Sequence, residues 1–185
     1  TSRDRGSGPW KRMILRGANV IDGTGAPPIG PMDVVVENGA ITQMVKVGGT
    51  RASPKGGVPP EPGDHDIDCA GKYVTPGFVD CHAHAGVAFH AVNGWVPSVD
   101  YVYKLWLAHG VTTVRGVPLS DQDFTVKEKD RSARNEIVAP RIYNYQRLGQ
   151  GWKRPVPDTP EGAREYVRWA AENGIDGLKL GDEQF

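Results

Sequence analysis

The segment Thr75-Pro76-Gly77-Phe78-Val79-Asp80-Cys81-His82-Ala83-His84 constrains this chain more than any other. It reads as a Pro-Gly turn, a short buried strand, and two histidines one residue apart at the strand's end. Side chains along a strand alternate between its faces. His82 and His84 therefore share a face with Phe78 and Asp80, while Val79, Cys81 and Ala83 take the other. Two imidazoles on one rigid face suit a divalent metal such as zinc. A pair of buried, hydrogen-bonded histidines is the plainer reading of His-x-His alone. Cys81, on the helix-facing side, is expected to be a small core residue.

A second constraint comes late in the chain. Residues 175–180 read as a strand with Leu178 and Leu180 on one face and Lys179 on the other. A lysine directed into a buried sheet face needs a counter-charge, a stem that reaches water, or the loss of its charge.

The stretches between fall into two patterns. Residues 13–15, 19–21, 33–36 and 40–47 read as short strands, the last two joined by Asn38-Gly39, a type I′ hairpin signal. Residues 48–65 are Gly-, Pro-, Ser- and Lys-rich and read as a surface loop, with His65 a solvated loop histidine. Residues 67–73 read as a last strand. After His84 the period lengthens. Ser98 is placed to cap a helix bearing Val99, Val102, Tyr103 and Trp106, which stops at Gly110, with His109 as a partner of its C-terminal dipole. Residues 111–115 and 142–146 read as strands, with a charged crossover over 120–137. Thr159-Pro160-Glu161 opens a helix with an apolar stripe of Ala163, Tyr166, Val167, Ala170 and Ala171, ended by Gly174. Strands alternating with helices indicate an α/β unit with a parallel sheet. Its sites lie at strand ends and the loops that follow. His90 and Trp95 in the loop 85–97, Arg115 at a strand end, and Tyr143 are the candidate substrate contacts. The loop 148–158, with Gln150, Trp152, Lys153 and Arg154, is placed to cover such a site.

Charge excludes some partners. The 22 basic and 22 acidic residues balance, which argues against a nucleic-acid or membrane-surface partner. Mean hydropathy is −0.45, and no run of about 18 apolar residues suggests a membrane span. Cys69 and Cys81 are too few for a disulfide framework. No signal-peptide core is visible near Thr1, which favours the cytoplasm; a secreted or periplasmic location stays open if a leader preceded Thr1.

Four segments together resemble the amidohydrolase superfamily of metal-dependent hydrolases. Residues 75–84 resemble its first barrel strand, and residues 12–47 resemble the small β-sandwich that precedes the barrel. Gly110-Val-Thr-Thr-Val-Arg is similar to the second barrel strand of imidazolonepropionase-like and prolidase-like members. Asp176-Gly177-Leu178-Lys179 is similar to the Asp-Gly-x-Lys of strand four in binuclear members. The resemblance implies an α/β fold: a small β-sandwich domain over residues 1–72, then the first half of a (β/α)8 TIM-type barrel over 73–185, with about four of its eight strands.

The resemblance also implies a chemistry. His82 and His84 would bind the more buried of two divalent metal ions, zinc by default. Lys179, its amine combined with carbon dioxide as a carbamate, would bridge both. A metal-bridging hydroxide would hydrolyse an amide or peptide-like C–N bond. Many such members carry Asp after the strand-two Arg; position 116 is Gly here, so no carboxylate role transfers. The histidines of strands five and six and the Asp of strand eight have no counterpart in these 185 residues. The remaining half of the barrel is therefore expected from the same precursor or a second chain, and a homo-oligomer is expected. The alternatives are a mononuclear deaminase, a lactone or phosphotriester hydrolase of the same superfamily, and a non-catalytic scaffold.

Overall fold

The computed structural model describes residues 8–48, 56–84, 98–116 and 122–180. Two compact units meet at the Pro76–Gly77 bond.

The first unit is built on β1 (Arg12–Val20), which pairs antiparallel with β2 (Ile29–Glu37); β2 pairs in turn with β3 (Ala40–Lys46). Asn38 and Gly39 both adopt positive φ, 51° and 82°, as a type I′ hairpin requires. One continuous β1 replaces the two short strands read from the sequence. A register shift at Gly17, where φ is 70°, lets the strand bend without ending. β4 (His65–Asp68) and β5 (Tyr73–Val74) both run parallel to β1. A turn closed by Lys72 N–H to Cys69 C=O separates them, so residues 67–73 do not form one strand. Among the described residues these strands make a single five-stranded sheet, where a two-layered sandwich was expected. Tyr73 and Val74 pair with β1 and belong to this unit, which runs on to Pro76. Ala18, Val20, Val34 and Cys69 form its core, with Leu15, Met32, Ile67 and Val74 packed around them.

His65 is not a solvated loop residue. It opens β4 and its ring stacks on Trp10, centroids 4.1 Å apart and planes nearly parallel. The neighbouring Asp66 accepts from the Arg16 guanidinium at 2.8 Å and from Gly63 N–H at 3.0 Å. Arg16 also holds the buried Asp33 at 2.8 Å. The Gly63 N–H first, and then Arg16, hold the Asp66 carboxyl below the usual aspartate range. A depressed folded pKa gives stability that is complete above the ordinary aspartate value near 3.9 and is lost as pH falls through the folded value. Wild type should therefore resist urea better than Asp66→Asn at pH 7. The gap in midpoints, followed by circular dichroism, should narrow as the pH falls below the ordinary aspartate range and through the depressed folded value.

The second unit alternates strand and helix. In order it contains β6 (Phe78–Asp80), α1 (Val99–Ala108), β7 (Val111–Arg115), α2 (Gln122–Ala133), β8 (Arg141–Tyr143), β9 (Tyr145–Arg147), α3 (Pro160–Glu172) and β10 (Gly177–Lys179). Every strand pair is parallel: β6 with β7, β7 with β8, and β9 with β10. Only Asn144 separates β8 from β9, so the expected third strand is present but broken at its centre. Asp176 spans the break. Its carboxylate accepts the Asn144 N–H at 2.7 Å, its own N–H donates to the Asn144 carbonyl at 2.8 Å, and Lys129 of α2 pairs with it at 2.7 Å.

Local chemistry explains the element ends. Ser98 Oγ accepts Tyr101 N–H at the start of α1, and Thr159 Oγ1 accepts Gly162 N–H at the start of α3, with Pro160 next in line. The helices stop just before Gly110 and Gly174, both at positive φ. At Gly77 the reason for glycine is closeness, since a Cβ there would meet Thr112 Oγ1 at 1.9 Å.

Two cores hold this unit. Val102 and Tyr103 of α1 pack with Val114, Ile137, Ile142 and Ala83. Tyr166 and Ala170 of α3 pack with Ile175, and with Leu148, Trp152, Trp169 and Leu178 at its margin. The α3 stripe is thus rotated from the one read in the sequence. Val167 and Ala171 are exposed, and Trp169 takes their place, because a helix that buries Tyr166 and Ala170 turns the following residue of each pair toward water. Among the described residues no helix is long and apolar enough to cross a membrane.

Candidate active site

β6 ends at Asp80, two residues short of His82. The Asp80 carboxylate accepts the His82 N–H at 3.0 Å, bending the chain out of the strand. Alternation therefore fails after residue 80. Cys81 is exposed, not a core residue, and lines a small cavity beside His82. Ala83 is the residue that anchors the segment: it is buried against Tyr103 and its neighbours, and its N–H donates to Arg115 C=O at 3.3 Å. Anchoring between the two histidines aims both rings at the same point.

That point is Lys179. Its Nζ lies 2.8 Å from His82 Nε2 and 3.2 Å from His84 Nε2, and the two Nε2 atoms are 3.2 Å apart. Residues 97 positions apart in sequence thus form a triangle of three nitrogens. If Lys179 donates to both rings as an ammonium, two imidazole lone pairs face each other with no proton between them. A cation in that gap resolves the conflict. Two nitrogens bound to one tetrahedral zinc at its usual bond length sit about 3.3 Å apart. His84 is half-buried, and burial first, then the charges of Lys179, His82 and Arg147, lower its pKa. The neutral ring favoured in this way is the form that binds metal. The donor set therefore fits a divalent ion. Among the described residues no third His, Cys, Asp or Glu joins the pair.

The cavity at the triangle holds about 160 Å³ and is lined by Cys81, His82, Arg115, Gly116, Tyr145, Leu178 and Lys179. Arg115 lies where the sequence placed it, its guanidinium 4.8 Å from the centre of the Tyr145 ring. Tyr143 is the register partner of Arg115 and is half exposed, but it does not line the cavity. Tyr145 does, and the sequence reading passed over it. Period-two alternation puts Tyr145 and Arg147 on the same face as Tyr143. Gly116 sits at φ 84° against the Cys81 carbonyl, a backbone that favours glycine over the aspartate of related sequences. His90 and Trp95 lie outside the described residues.

No protein-family model matches the chain. Individual proteins do. A 5-methylthioadenosine/S-adenosylhomocysteine deaminase from Desulforudis audaxviator is 33% identical over 105 residues, covering 55% of this chain and 22% of the relative. An imidazolonepropionase from Vibrio cholerae is 36% identical over 86 residues, covering 46% of this chain and 20% of the relative. Among solved structures, one provisionally described as a prolidase from Bifidobacterium longum superposes with a TM-score of 0.66 at 25% identity, covering 94% of this chain and 41% of that one. The chain thus matches about a fifth of the length of these curated relatives. Its homologues are hydrolases acting on C–N bonds, and its own fold is α/β. The chain belongs to the amidohydrolase superfamily.

Proposed function

We propose that this chain is the N-terminal part of a binuclear metal-dependent amidohydrolase that cleaves an amide or peptide-like C–N bond. The observation that carries the proposal is the convergence of His82, His84 and Lys179 within 3.2 Å of one another. In this reading His82 and His84, neutral at Nε2, hold one ion. The unprotonated Lys179 amine adds to carbon dioxide: an N–C bond forms, one proton leaves to water, and the side chain becomes an anionic carbamate. That change removes the clash of donors at the triangle and supplies the carboxylate-type ligand that the two histidines lack. When bound, divalent ions contribute Lewis acidity toward the carbonyl and lower the pKa of water. Arg115 and Tyr145 line the approach to this point and are placed to orient a substrate.

Residues 77–180 then constitute the first half of a (β/α)8 barrel, and the first unit its small β domain. Exposed apolar side chains at the two outer strands support a sheet that continues. Phe78 and Val79 on β6 are 61% and 57% exposed, and Leu180 after β10 is 55% exposed. The other half, from the same precursor or a second chain, would bring the remaining ligands and a general base. A one-metal deaminase would use the two histidines but leave Lys179 without a task, so its placement favours the two-metal reading.

Native mass spectrometry of the purified material, without chelator, tests this. The expected result is two divalent ions together with the added mass of one carbon dioxide, in a species heavier than the 20.1 kDa chain. A single ion with no carbon dioxide would point to the deaminase reading, and a metal-free assembly to a scaffold.

A further inference from the structure

The loop that follows β9 sets Trp152, Lys153 and Arg154 along α3, and none of them lines the cavity at the nitrogen triangle. With Glu165, Arg168, Trp169 and Glu172 of the helix they enclose a separate groove of about 820 Å³. That volume suits a small molecule. We propose that this groove is a second ligand site and that it takes a planar aromatic monoanion, its ring laid against Trp169 and its acid group held by Arg168 and Lys153. The inference goes beyond the hydrolase reading and stands independently of it.

The walls are fastened to each other. The Tyr166 hydroxyl of α3 lies 2.9 Å from the carbonyl oxygens of both Arg147 and Gln150, and Trp152 N–H donates to Gly149 C=O at 3.2 Å. Gly149 sits at φ 82°, and a Cβ there would meet Val156 at 2.9 Å, so this turn depends on glycine. The base of the groove is aromatic. Trp152 and Trp169 meet edge to face with centroids 5.5 Å apart, and both pack on Tyr166. Such rings accept a further flat ring in an offset or edge-on arrangement.

Charge selects the rest of the ligand. On the same helix Arg164 pairs with Glu161, three residues back. Arg168 has Glu165 at the same spacing and does not pair with it. Arg154, its guanidinium 5.2 Å from the centre of the Trp152 ring, takes Glu165 instead at 3.2 Å. Among the described residues neither Arg168 nor Lys153 forms an ion pair. Arg154 and Glu165 cancel, so the groove is left with two cations against one acid, Glu172, a net charge of +1. One carboxylate balances that charge, whereas a dianion would exceed it and meet Glu172. A guanidinium such as that of Arg168 can grip a planar acid through two parallel hydrogen bonds. The flank of α3 suited to further packing is a different one. Val167 and Ala171, exposed and apolar, lie on the other side of the buried Tyr166 and Ala170, so an element docked there leaves the groove open.

The probes are naphthoate and its neutral isostere naphthamide, titrated calorimetrically into the full chain as purified. Naphthoate should bind at least about tenfold tighter than naphthamide, the value of one charge-assisted hydrogen bond or more. Arg168→Gln should remove most of that preference, Lys153→Gln part of it, and Arg168→Lys should keep part. Both side chains are exposed, so circular dichroism should not change. Arg115→Gln, at the other cavity, should leave the preference intact. Acetate, which carries the charge without the ring, should fail to displace naphthoate at equal concentration. Equal binding of naphthoate and naphthamide, or a preference that survives Arg168→Gln, overturns the site. So does a preference lost in Arg115→Gln, which places the anion at the triangle, or displacement by acetate, which reduces the groove to a charged surface.

Discussion

Lys179→Ala should strip the protein of most of its metal, and adding acetate or propionate should restore part of it. The alanine variant removes one vertex of the triangle and leaves His82 and His84 as the only described donors. Partners one shell further out are commonly worth about 10- to 100-fold in metal affinity. A ligand shared by two ions should therefore cost at least about 100-fold, with catalysis of C–N hydrolysis in the assembled enzyme falling at least as far. The rescue follows from shape. Truncation opens space for a small acid, whose two oxygens can stand in for a carbamate. Metal content by plasma mass spectrometry, with and without acetate, reads both effects. An alanine variant that keeps its metal, or that acetate leaves unchanged, would falsify the carbamate.

Tyr103→Ala should be the most destabilising single truncation in the second unit. Tyr103 is fully buried, packs with Val114, Ile142 and Ala83, and donates its hydroxyl to Glu128 at 3.3 Å. Burial, and then the Glu128 charge, push its pKa far up, so it stays a neutral donor across any working pH. Aromatic-to-alanine changes in such cores cost about 3–5 kcal/mol. Glu128, itself buried, would also lose a hydrogen-bond donor while keeping Arg131 at 2.5 Å. The effect should reach the site, because Ala83 packs in the same cluster and lies between the two metal-binding candidates. Chemical denaturation should show the loss of stability, and zinc affinity in the still-folded fraction should fall with it. Tyr103→Phe separates the two contributions: it should retain the packing, lose about 1 kcal/mol for the hydroxyl, and bind zinc normally.

Much of this was legible in the sequence because periodicity and capping are local. Ser98, Gly110, Thr159 and Gly174 each act on the turn beside them, and the ends of α1 and α3 fall where those residues put them. The Asn38-Gly39 hairpin depends on two backbone angles and nothing else. What the sequence hid depends on contacts between distant residues. His65 reads as a loop residue because its partner, Trp10, is 55 positions away. Cys81 reads as core because strand alternation was extended past Asp80, whose side chain breaks it. Val167 reads as buried because an apolar residue near a stripe looks like part of it, and only packing shows that Trp169 occupies that edge. At the site, the approach of Lys179 to the histidines was implied by family resemblance. The row of Tyr145 and Arg147 was available from simple alternation but carried no motif to draw attention to it.

The break at Asn144 bears on how securely the site is assembled. β9 and β10 share only three residue pairs, and parallel pairing that short is weakly specified. A slip of one residue would turn Lys179 to the helix side and bring Leu178 or Leu180 against the histidines, abolishing the triangle while preserving the sheet. Asp176 guards against this error. Its carboxylate reads the one backbone N–H that the gap between β8 and β9 leaves unladdered, and Lys129 holds the carboxylate from outside. Any slipped alignment would leave that N–H and that charge without partners. The interruption of the third strand is thus an index mark, against which the lysine three residues further on is set to the correct face.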